Sequence, residues 1–334
     1  MTVTDLTNAT FADIAAYLDA SDNVVICGHV SPDGDCIGSA LALSAVLKSK
    51  GKNVTCVFAQ NEPLEPALEF LPGASDIIPA QDFEGTCDTF VCVDVPTKAR
   101  IEVHAARLLE QAKRSVTIDH HASDALMTEL AYIDPDAASC SMLIWELAKI
   151  MCNEVPYEVA LCTYTGLVTD TGGFRYQNAN ADAFNAAAEM VSLGVDSSVV
   201  ANNVFQNRSY ASLMLDSLTV QRMEVLCDGK IAISWITKDD MKKLGAQKSD
   251  VEPLVNTLRC LRGASIACML REQGDSVRGS LRAKDDTDVA AIAREFGGGG
   301  HRAAAGFTMD CDIETARMRI ASRLAELVSK GSAE

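Results

Sequence analysis

The sequence predicts an α/β protein: an N-terminal, mostly parallel sheet flanked by helices, a helical connector, and a smaller C-terminal α/β domain with a mixed sheet. Three observations carry that expectation. Short β-branched runs alternate with helical stretches up to Asp170, a pattern that implies right-handed crossovers and parallel strands. Alanine- and leucine-rich segments follow, without strand signals between them. Strand patterns then return, including a hairpin that pairs Ala264 to Glu272 with Ser276 to Ala283 across Gln273-Gly274-Asp275. At 334 residues the chain exceeds the size at which one core stops growing. The expected layout is an N-terminal domain over residues 1–190, a helical connector over 191–215 and a C-terminal domain over 216–330.

In chain order, residues 9–20 are expected as a short helix and Asn23 to His29 as a strand. Val30 to Ser39, with Pro32-Asp33-Gly34-Asp35 at its centre, is a turn-rich loop opening a helix that stops at Gly51. His29, Asp33 and Asp35 thus cluster where a strand hands over to a helix, the edge of an open α/β sheet at which ligands bind. Turn chemistry, with Asp35 capping the helix, is the competing explanation, but it does not account for His29. Further strands are expected at Val54 to Phe58, at Phe90 to Asp94 and at Ser115 to Ile118, the last running straight into Asp119-His120-His121. Three strands therefore end in side chains able to bind metal or move protons, a repetition harder to reach by accident than any one motif.

Helices follow at about 140–152 and over Pro156 to Thr169, with proline in the first turn. The second ends in Thr169-Asp170-Thr171-Gly172-Gly173, where Asp170 is either a further ligand or a polar residue before a glycine stop. Helices at about 180–193, 196–206 and 209–226 lead through the connector. Beyond lie a strand at Lys230 to Ile236, helices around 238–244 and 249–259, the hairpin, and a helix capped by Thr287 that runs to Phe296. It stops in Gly297-Gly298-Gly299-Gly300-His301-Arg302, ahead of a strand at Ala304 to Met309. A glycine run after a helix does not match the dinucleotide fingerprint, which needs a strand first. It suits a loop whose bare N–H groups approach an anion; the alternative is a flexible linker.

The formal charge of -17 argues against general nucleic-acid or membrane-surface binding, which needs a basic footprint. A small phosphorylated molecule stays possible if bound cations and a few arginines supply positive charge. The twelve cysteines are scattered through apolar runs without a Cys-x-x-Cys pair and read as reduced thiols. No apolar stretch approaches the length of a membrane span, and no signal peptide is evident at the start, so the protein is expected in the cytoplasm.

His29, Asp33, Asp35, Asp94, His120 and Asp170, with Asp119 and His121 beside them, are carboxylates and imidazoles without thiolates, a set that favours Mn²⁺ or Mg²⁺ over structural zinc. Six ligands exceed the needs of one catalytic ion. They suit a pair of ions about 3.5 to 4 Å apart, which can make hydroxide available at neutral pH and stabilise both oxygens of a phosphoryl displacement. The expected reaction class is metal-assisted phosphoester hydrolysis.

This motif set, His29-x3-Asp33-x-Asp35, Asp94 at a strand end, Asp119-His120-His121, Asp170 and then Gly297 to His301, resembles that of the DHH phosphoesterases with their DHH-associated C-terminal domain. The branch it is most similar to is the nanoRNase and 3′-phosphoadenosine 5′-phosphate (pAp) phosphatase group, which includes hydrolases of linear and cyclic dinucleotides. The resemblance spans nearly the whole chain in the family's order. It implies two Mn²⁺ ions, with Mg²⁺ or Co²⁺ as substitutes: His29, Asp33 and Asp94 holding one, and Asp35, Asp94, His120 and Asp170 the other, with Asp94 bridging. It further implies that Asp119 orients an imidazole, that His121 contacts the scissile phosphate or leaving group, and that Arg282, Gly298, Gly299, Gly300 and His301 bind the substrate's far end. Arg302 departs from the proline or small residue common there, which puts fine specificity in doubt. The implied partner is a short oligonucleotide or a nucleotide bisphosphate, with no long nucleic acid and no membrane; a homodimer stays open. Competing readings are a cyclic-dinucleotide phosphodiesterase, a DHH-type inorganic pyrophosphatase, for which the expected basic Ser-Arg-Lys-type cluster is missing, and a catalytically silent nucleotide sensor.

Overall fold

The computed structural model describes residues 4–61, 63–123 and 125–331, and of His301, Lys330 and Gly331 the backbone only. The chain divides into two compact units, Met1–Asn207 and Arg208–Glu334.

The first unit runs α1 (Phe11–Asp19), β1 (Asn23–Cys27), α2 (Gly34–Ser49), β2 (Asn53–Phe58), β3 (Ile78–Pro79), β4 (Thr89–Val93), α3 (Glu102–Gln111), β5 (Arg114–Asp119), β6 (Leu130–Ile133), α4 (Cys140–Met151), α5 (Tyr157–Asp170), α6 (Ala181–Ser192) and α7 (Ser197–Phe205). Its sheet is ordered β3-β2-β1-β4-β5-β6, and every pairing is parallel. Strands buried on both faces need apolar residues at every position, and β1 and β4 supply them. Val24 and Ile26 of β1 pack into the larger core with α2, α4 and α5, while Val25 and Cys27 pack with Phe90, Cys92, Ile101 and Ala105 on the other face. The strand order reverses direction between β1 and β4, and such a switch point opens a crevice outside the carboxyl ends of the strands. His29 follows β1 and Asp94 follows β4, so both flank that crevice.

Two helices reach the crevice in close contact with one another. Gly38 of α2 faces α5 so closely that a Cβ there would lie 2.5 Å from the carbonyl oxygen of Cys162. Gly166 of α5 leaves room for Ser141 Oγ, which an added Cβ would meet at 1.8 Å. This packing sets Asp35, in the first turn of α2, beside Asp170, the last residue of α5.

The second unit runs α8 (Tyr210–Gln221), β7 (Glu224–Leu226), β8 (Ile231–Ile236), α9 (Lys238–Leu244), α10 (Leu254–Arg259), β9 (Ile266–Gln273), β10 (Ser276–Ala283), α11 (Val289–Glu295), β11 (Gly299–His301), β12 (Ala304–Met309) and α12 (Ile313–Gly331). The sheet, ordered β11-β12-β10-β9-β8-β7, is mixed: β8 and β9 are parallel and the other pairings antiparallel. One face packs under α11 and α12, the other under α8 and α10.

Several local expectations are corrected. The helix expected through residue 226 ends at Gln221, and Glu224–Leu226 pairs with β8 as an edge strand. The segment 249–259 is a 3₁₀ turn, Lys248–Asp250, and a separate helix from Leu254, because Pro253 cannot sit inside a helix. Asp288, not Thr287, caps α11, its Oδ1 accepting the N–H of Ala291. Part of the glycine run is a strand, Gly299–His301, paired with β12.

Candidate metal centre

Asp94 lies at the middle of the site. It is 1% exposed and adopts φ +59, a left-handed conformation that L-residues hold only under tertiary constraint. Its Oδ2 is 3.3 Å from His29 Nε2, and its Oδ1 is 3.4 Å from His120 Nε2 and 3.3 Å from His121 Nδ1. The two carboxylate oxygens thus face different imidazoles, Oδ2 that of His29 and Oδ1 those of His120 and His121. His120 Nε2 is also 3.7 Å from Asp35 Oδ2 and 3.8 Å from Asp170 Oδ2. Three overlapping groups of ligand atoms result, each within 4.8 Å: His29 with Cys36 and Asp94; Asp94 with His120 and His121; and Asp35 with His120 and Asp170.

Asp33 stands at the rim. Its side chain is exposed, its Oδ1 caps α2 by accepting the N–H groups of Asp35 and Cys36, and the same oxygen is 3.9 Å from His29 Nε2. The capping role weighed for Asp35 therefore belongs to Asp33. Asp35 is instead fixed from across the site, its two oxygens accepting the N–H groups of Cys140 at 2.7 Å and Ser141 at 2.8 Å, in the first turn of α4.

The imidazoles are held from behind. His29 Nδ1 donates to the Val30 carbonyl at 2.8 Å, His120 Nδ1 to the Ala137 carbonyl at 3.3 Å, and His121 Nδ1 to Asp119 Oδ1 at 2.8 Å. A carbonyl can only accept, so Nδ1 carries the proton in His29 and His120, and Nε2 is the atom left to bind a cation. Asp119 is fully buried, and its Oδ1 also accepts the N–H groups of His120 and His121. Asp119 shapes the turn and aims the His121 ring.

The electrostatics of these groups without a cation are severe. Burial, and then the charge of Asp94, push Asp35 up to about 6. Burial pushes Asp170 up to about 8. Burial also works against ionised Asp94, but the imidazoles of His120 and His29 beside it prevail and hold it well below the usual carboxylate range. Against its own burial, His29 is raised to about 9, chiefly by Asp94, and the surrounding carboxylates raise His120 likewise. Asp94 Oδ1 is buried without a hydrogen-bond partner, and such an atom needs a compensating charge. Oxygen and imidazole donors around that orphan fit hard or borderline divalent cations. Cys36 adds no thiolate, because burial keeps its thiol protonated.

Sequence reasoning missed three participants. The α4 amides that hold Asp35 carry no side-chain signal. Cys36 read as one more core thiol. Arg100, in the loop that follows β4, places Nη2 3.3 Å from His29 Nδ1 and donates to the Val30 carbonyl at 3.2 Å; the one available hint was a basic residue six positions after the strand-end acid Asp94.

The remaining predicted site residues lie in the second unit. Arg282 is half-buried on β10, with Nη1 donating to the Leu281 carbonyl at 2.9 Å. Close strand packing accounts for two glycines of the run: a Cβ on Gly298 would meet the Gly306 carbonyl oxygen at 2.1 Å, and one on Gly300 the Ala304 carbonyl oxygen at 2.5 Å. Gly299 faces open space. The His301 backbone pairs with Ala304, and its side chain lies outside the described residues. Arg302 reaches across to the loop between β10 and α11, donating through Nε and Nη2 to the Asp286 carbonyl.

With this geometry in hand, comparison with known proteins is informative. The model of the DHH family, N-terminal domain, matches residues 23–167, and that of the DHHA1 domain matches residues 228–330. The chain is similar to the bifunctional oligoribonuclease and PAP phosphatase NrnA of Thermus thermophilus, 27% identical over 95% of this chain and 94% of that protein. It is likewise similar to the protein of the same name from Bacillus subtilis, 28% identical over 85% and 88%. Among solved structures, an exopolyphosphatase-related protein from Bacteroides fragilis superposes with a TM-score of 0.89 at 28% identity, covering 97% of both chains.

Proposed function

We propose that this chain, which belongs to the DHH family through residues 23–167 and carries a DHHA1 domain over residues 228–330, hydrolyses short oligoribonucleotides to nucleoside monophosphates and pAp to AMP. The observation that carries the reading is Asp94 at the switch point, with one oxygen toward His29 and the other, orphaned, toward His120. The names of the similar NrnA proteins give the same pair of substrates. His29, Asp33 and Asp94 would hold one divalent cation, Mn²⁺ by preference, and Asp35, Asp94, His120 and Asp170 a second. Bound there, two such ions supply Lewis acidity and an activated water for phosphoryl displacement.

The chain's own residues do the rest. Asp94 neutralises charge for both halves of the site at once. Asp119 holds His121 through Nδ1, so that the ring is oriented to meet the scissile phosphate or the departing oxygen through Nε2. Arg282 and the turn around Gly299 and His301 take the substrate's distal phosphate or base, and binding energy from that remote end supports the chemistry. The free thiols of all twelve cysteines support a reducing compartment, the cytoplasm.

Purified protein with added Mn²⁺ should release nucleoside monophosphate from an RNA dinucleotide and AMP from pAp, and should leave pyrophosphate intact. Binding of pAp without turnover would favour a sensor instead. Turnover of a cyclic dinucleotide above both would move the substrate assignment. Arg282→Ala should lower kcat/KM on pAp and dinucleotides by about 10²-fold, or about 3 kcal/mol, and cost much less on a minimal chromogenic phosphodiester. Equal losses on both substrates would refute distal recognition by Arg282.

A further inference from the structure

We propose that Arg100 is a positioning residue for His29: it pins the carbonyl to which His29 gives its Nδ1 proton, and so holds Nε2 on the cation beside Asp94. The inference rests on the reading of His29 as a cation ligand. Its observations are independent of that reading.

Residue 100 clasps residue 30 from both sides. The Val30 N–H donates to the Arg100 carbonyl at 2.7 Å, and Arg100 Nη2 returns a bond to the Val30 carbonyl at 3.2 Å. This two-point bridge joins the loop after β1, which carries His29, to the loop after β4, which carries Asp94. The same Val30 carbonyl accepts His29 Nδ1–H at 2.8 Å. A carbonyl oxygen has two lone pairs, and here both are used, one by the imidazole and one by the guanidinium. The plane of the carbonyl, and with it the ring that donates to it, is thereby fixed.

Which imidazole nitrogen faces the cation is decided by the Val30 carbonyl, which takes the Nδ1 proton, against the pull of the guanidinium. The guanidinium lies 3.3 Å from His29 Nδ1, and Arg offers donors only. Were Nδ1 the unprotonated nitrogen, Arg100 would donate to it, Nε2 would carry the proton, and the Val30 carbonyl would lose its imidazole partner. The shorter bond from Nδ1 to the carbonyl shows the opposite arrangement. The backing of a ligand histidine by a carbonyl is a common device; here the carbonyl is itself backed by a cation. Lysine at position 100 could still reach the Val30 carbonyl with one ammonium donor, whereas a neutral side chain could not.

The test is a Mn²⁺ titration of the metal-free protein by calorimetry, on the wild type and on the Arg100→Met, Arg100→Lys and His29→Ala variants, with a thermal melt of each as a folding control. Arg100→Met should weaken one of two ions by about 10- to 100-fold, the effect typical of groups that orient metal ligands, and leave the other unchanged. Arg100→Lys should recover part of that affinity. Turnover lost by Arg100→Met should return at Mn²⁺ concentrations that refill the weakened site, because occupancy and not the transition state is impaired. Wild-type affinity for both ions in Arg100→Met would overturn the proposal. A loss of turnover that persists at saturating Mn²⁺ would overturn it too. If His29→Ala weakens neither ion, the assignment of His29 itself falls, a result distinguishable from failure of Arg100 alone.

Discussion

The contact between α2 and α5 offers the sharpest test of how the site is held, because the substitution touches no ligand. A methyl group at position 38 would sit 2.5 Å from the Cys162 carbonyl oxygen, with the backbone N and Cα of Gly166 at 3.1 and 3.3 Å. All three neighbours are backbone atoms, so no side chain can swing away. To restore the 3.4 Å at which ordinary contact begins, the helices must separate locally by about 0.9 Å. Asp35 stands three residues before Gly38, and Asp170 four residues after Gly166, so the separation is passed directly to two carboxylates that face His120. Overpacking of this kind costs about 1–3 kcal/mol, or roughly 2–4 °C of Tm per kcal/mol for a unit of this size. A displacement near 1 Å at the reacting groups costs about 10²-fold in rate. Gly38→Ala should therefore lower kcat/KM on pAp by about 10²-fold and Tm by several degrees. Gly51→Ala is the matched control: its Cβ would meet nothing within 4 Å, but φ is +79, so it should lose about 1 kcal/mol to backbone strain and keep its activity. A Gly38→Ala protein with turnover within a few-fold of wild type would refute the claim that this contact sets the position of Asp35 and Asp170.

Three further outcomes are expected. Asp94→Ala should abolish turnover and weaken binding of both ions in the same titration, while a circular-dichroism melt stays cooperative; near-normal activity would contradict a shared carboxylate. Thiol counting in denaturant without reductant should find twelve, the number of free cysteines; a count lower by several would contradict a reducing compartment. Asp240, which accepts two bonds from Arg222 at 2.5 and 2.9 Å and closes the cap of α9, is held well below the usual carboxylate range by Arg222 first, burial opposing, so its contribution is present above pH ~4 and is lost as pH falls toward the depressed folded value. Asp240→Asn should cost about 1.5–3 kcal/mol at pH 7, with the gap to wild type closing below pH 4; a gap that widens in acid would refute the assignment.

Most of the sheet of the first unit was legible because the buried strands are short, mostly apolar runs rich in β-branched residues, and its ends were legible because ligand-type residues follow β1, β4 and β5. The strand order 3-2-1-4-5-6 was not. Register and order are set by which helix covers which face, information that no single segment carries. Short edge strands such as Ile78–Pro79 and Glu224–Leu226 escaped notice because two or three residues show no period. The long helix α12 was missed although its sequence is helical, because nothing chemical drew attention past Met309. Within the site, Asp35 and Asp33 illustrate the limit. The sequence placed two acids at a helix start, and the cap weighed there was Asp35. Only the approach of α4, whose first-turn N–H groups bind Asp35, draws Asp35 inward and leaves Asp33 to cap. The glycine run was read as bare backbone awaiting an anion, but Gly298 and Gly300 are required by the closeness of β12, and Gly297 and Gly299 keep an open face.

The charge balance ties site and substrate together. A formal charge of -17 repels any long polyanion at a distance, and surface acids are screened only beyond about 10 Å at ordinary salt. Within the first unit the fold concentrates that repulsion, bringing Asp35, Asp94 and Asp170 around one imidazole at distances of 3.4 to 3.8 Å. Without cations, burial pushes Asp170 up to about 8, and Asp94, against burial, raises His29 to about 9, so both hold protons. Cations that displace those protons would turn this acidic cluster into a place where a phosphate can approach, and the approach of positive charge is local. A ligand small enough to present one phosphate there, without laying a chain of further phosphates along an acidic surface, is the one such a protein can hold. A preference for very short substrates, as proposed above, would then follow from the protein's own charge as much as from the shape of any pocket.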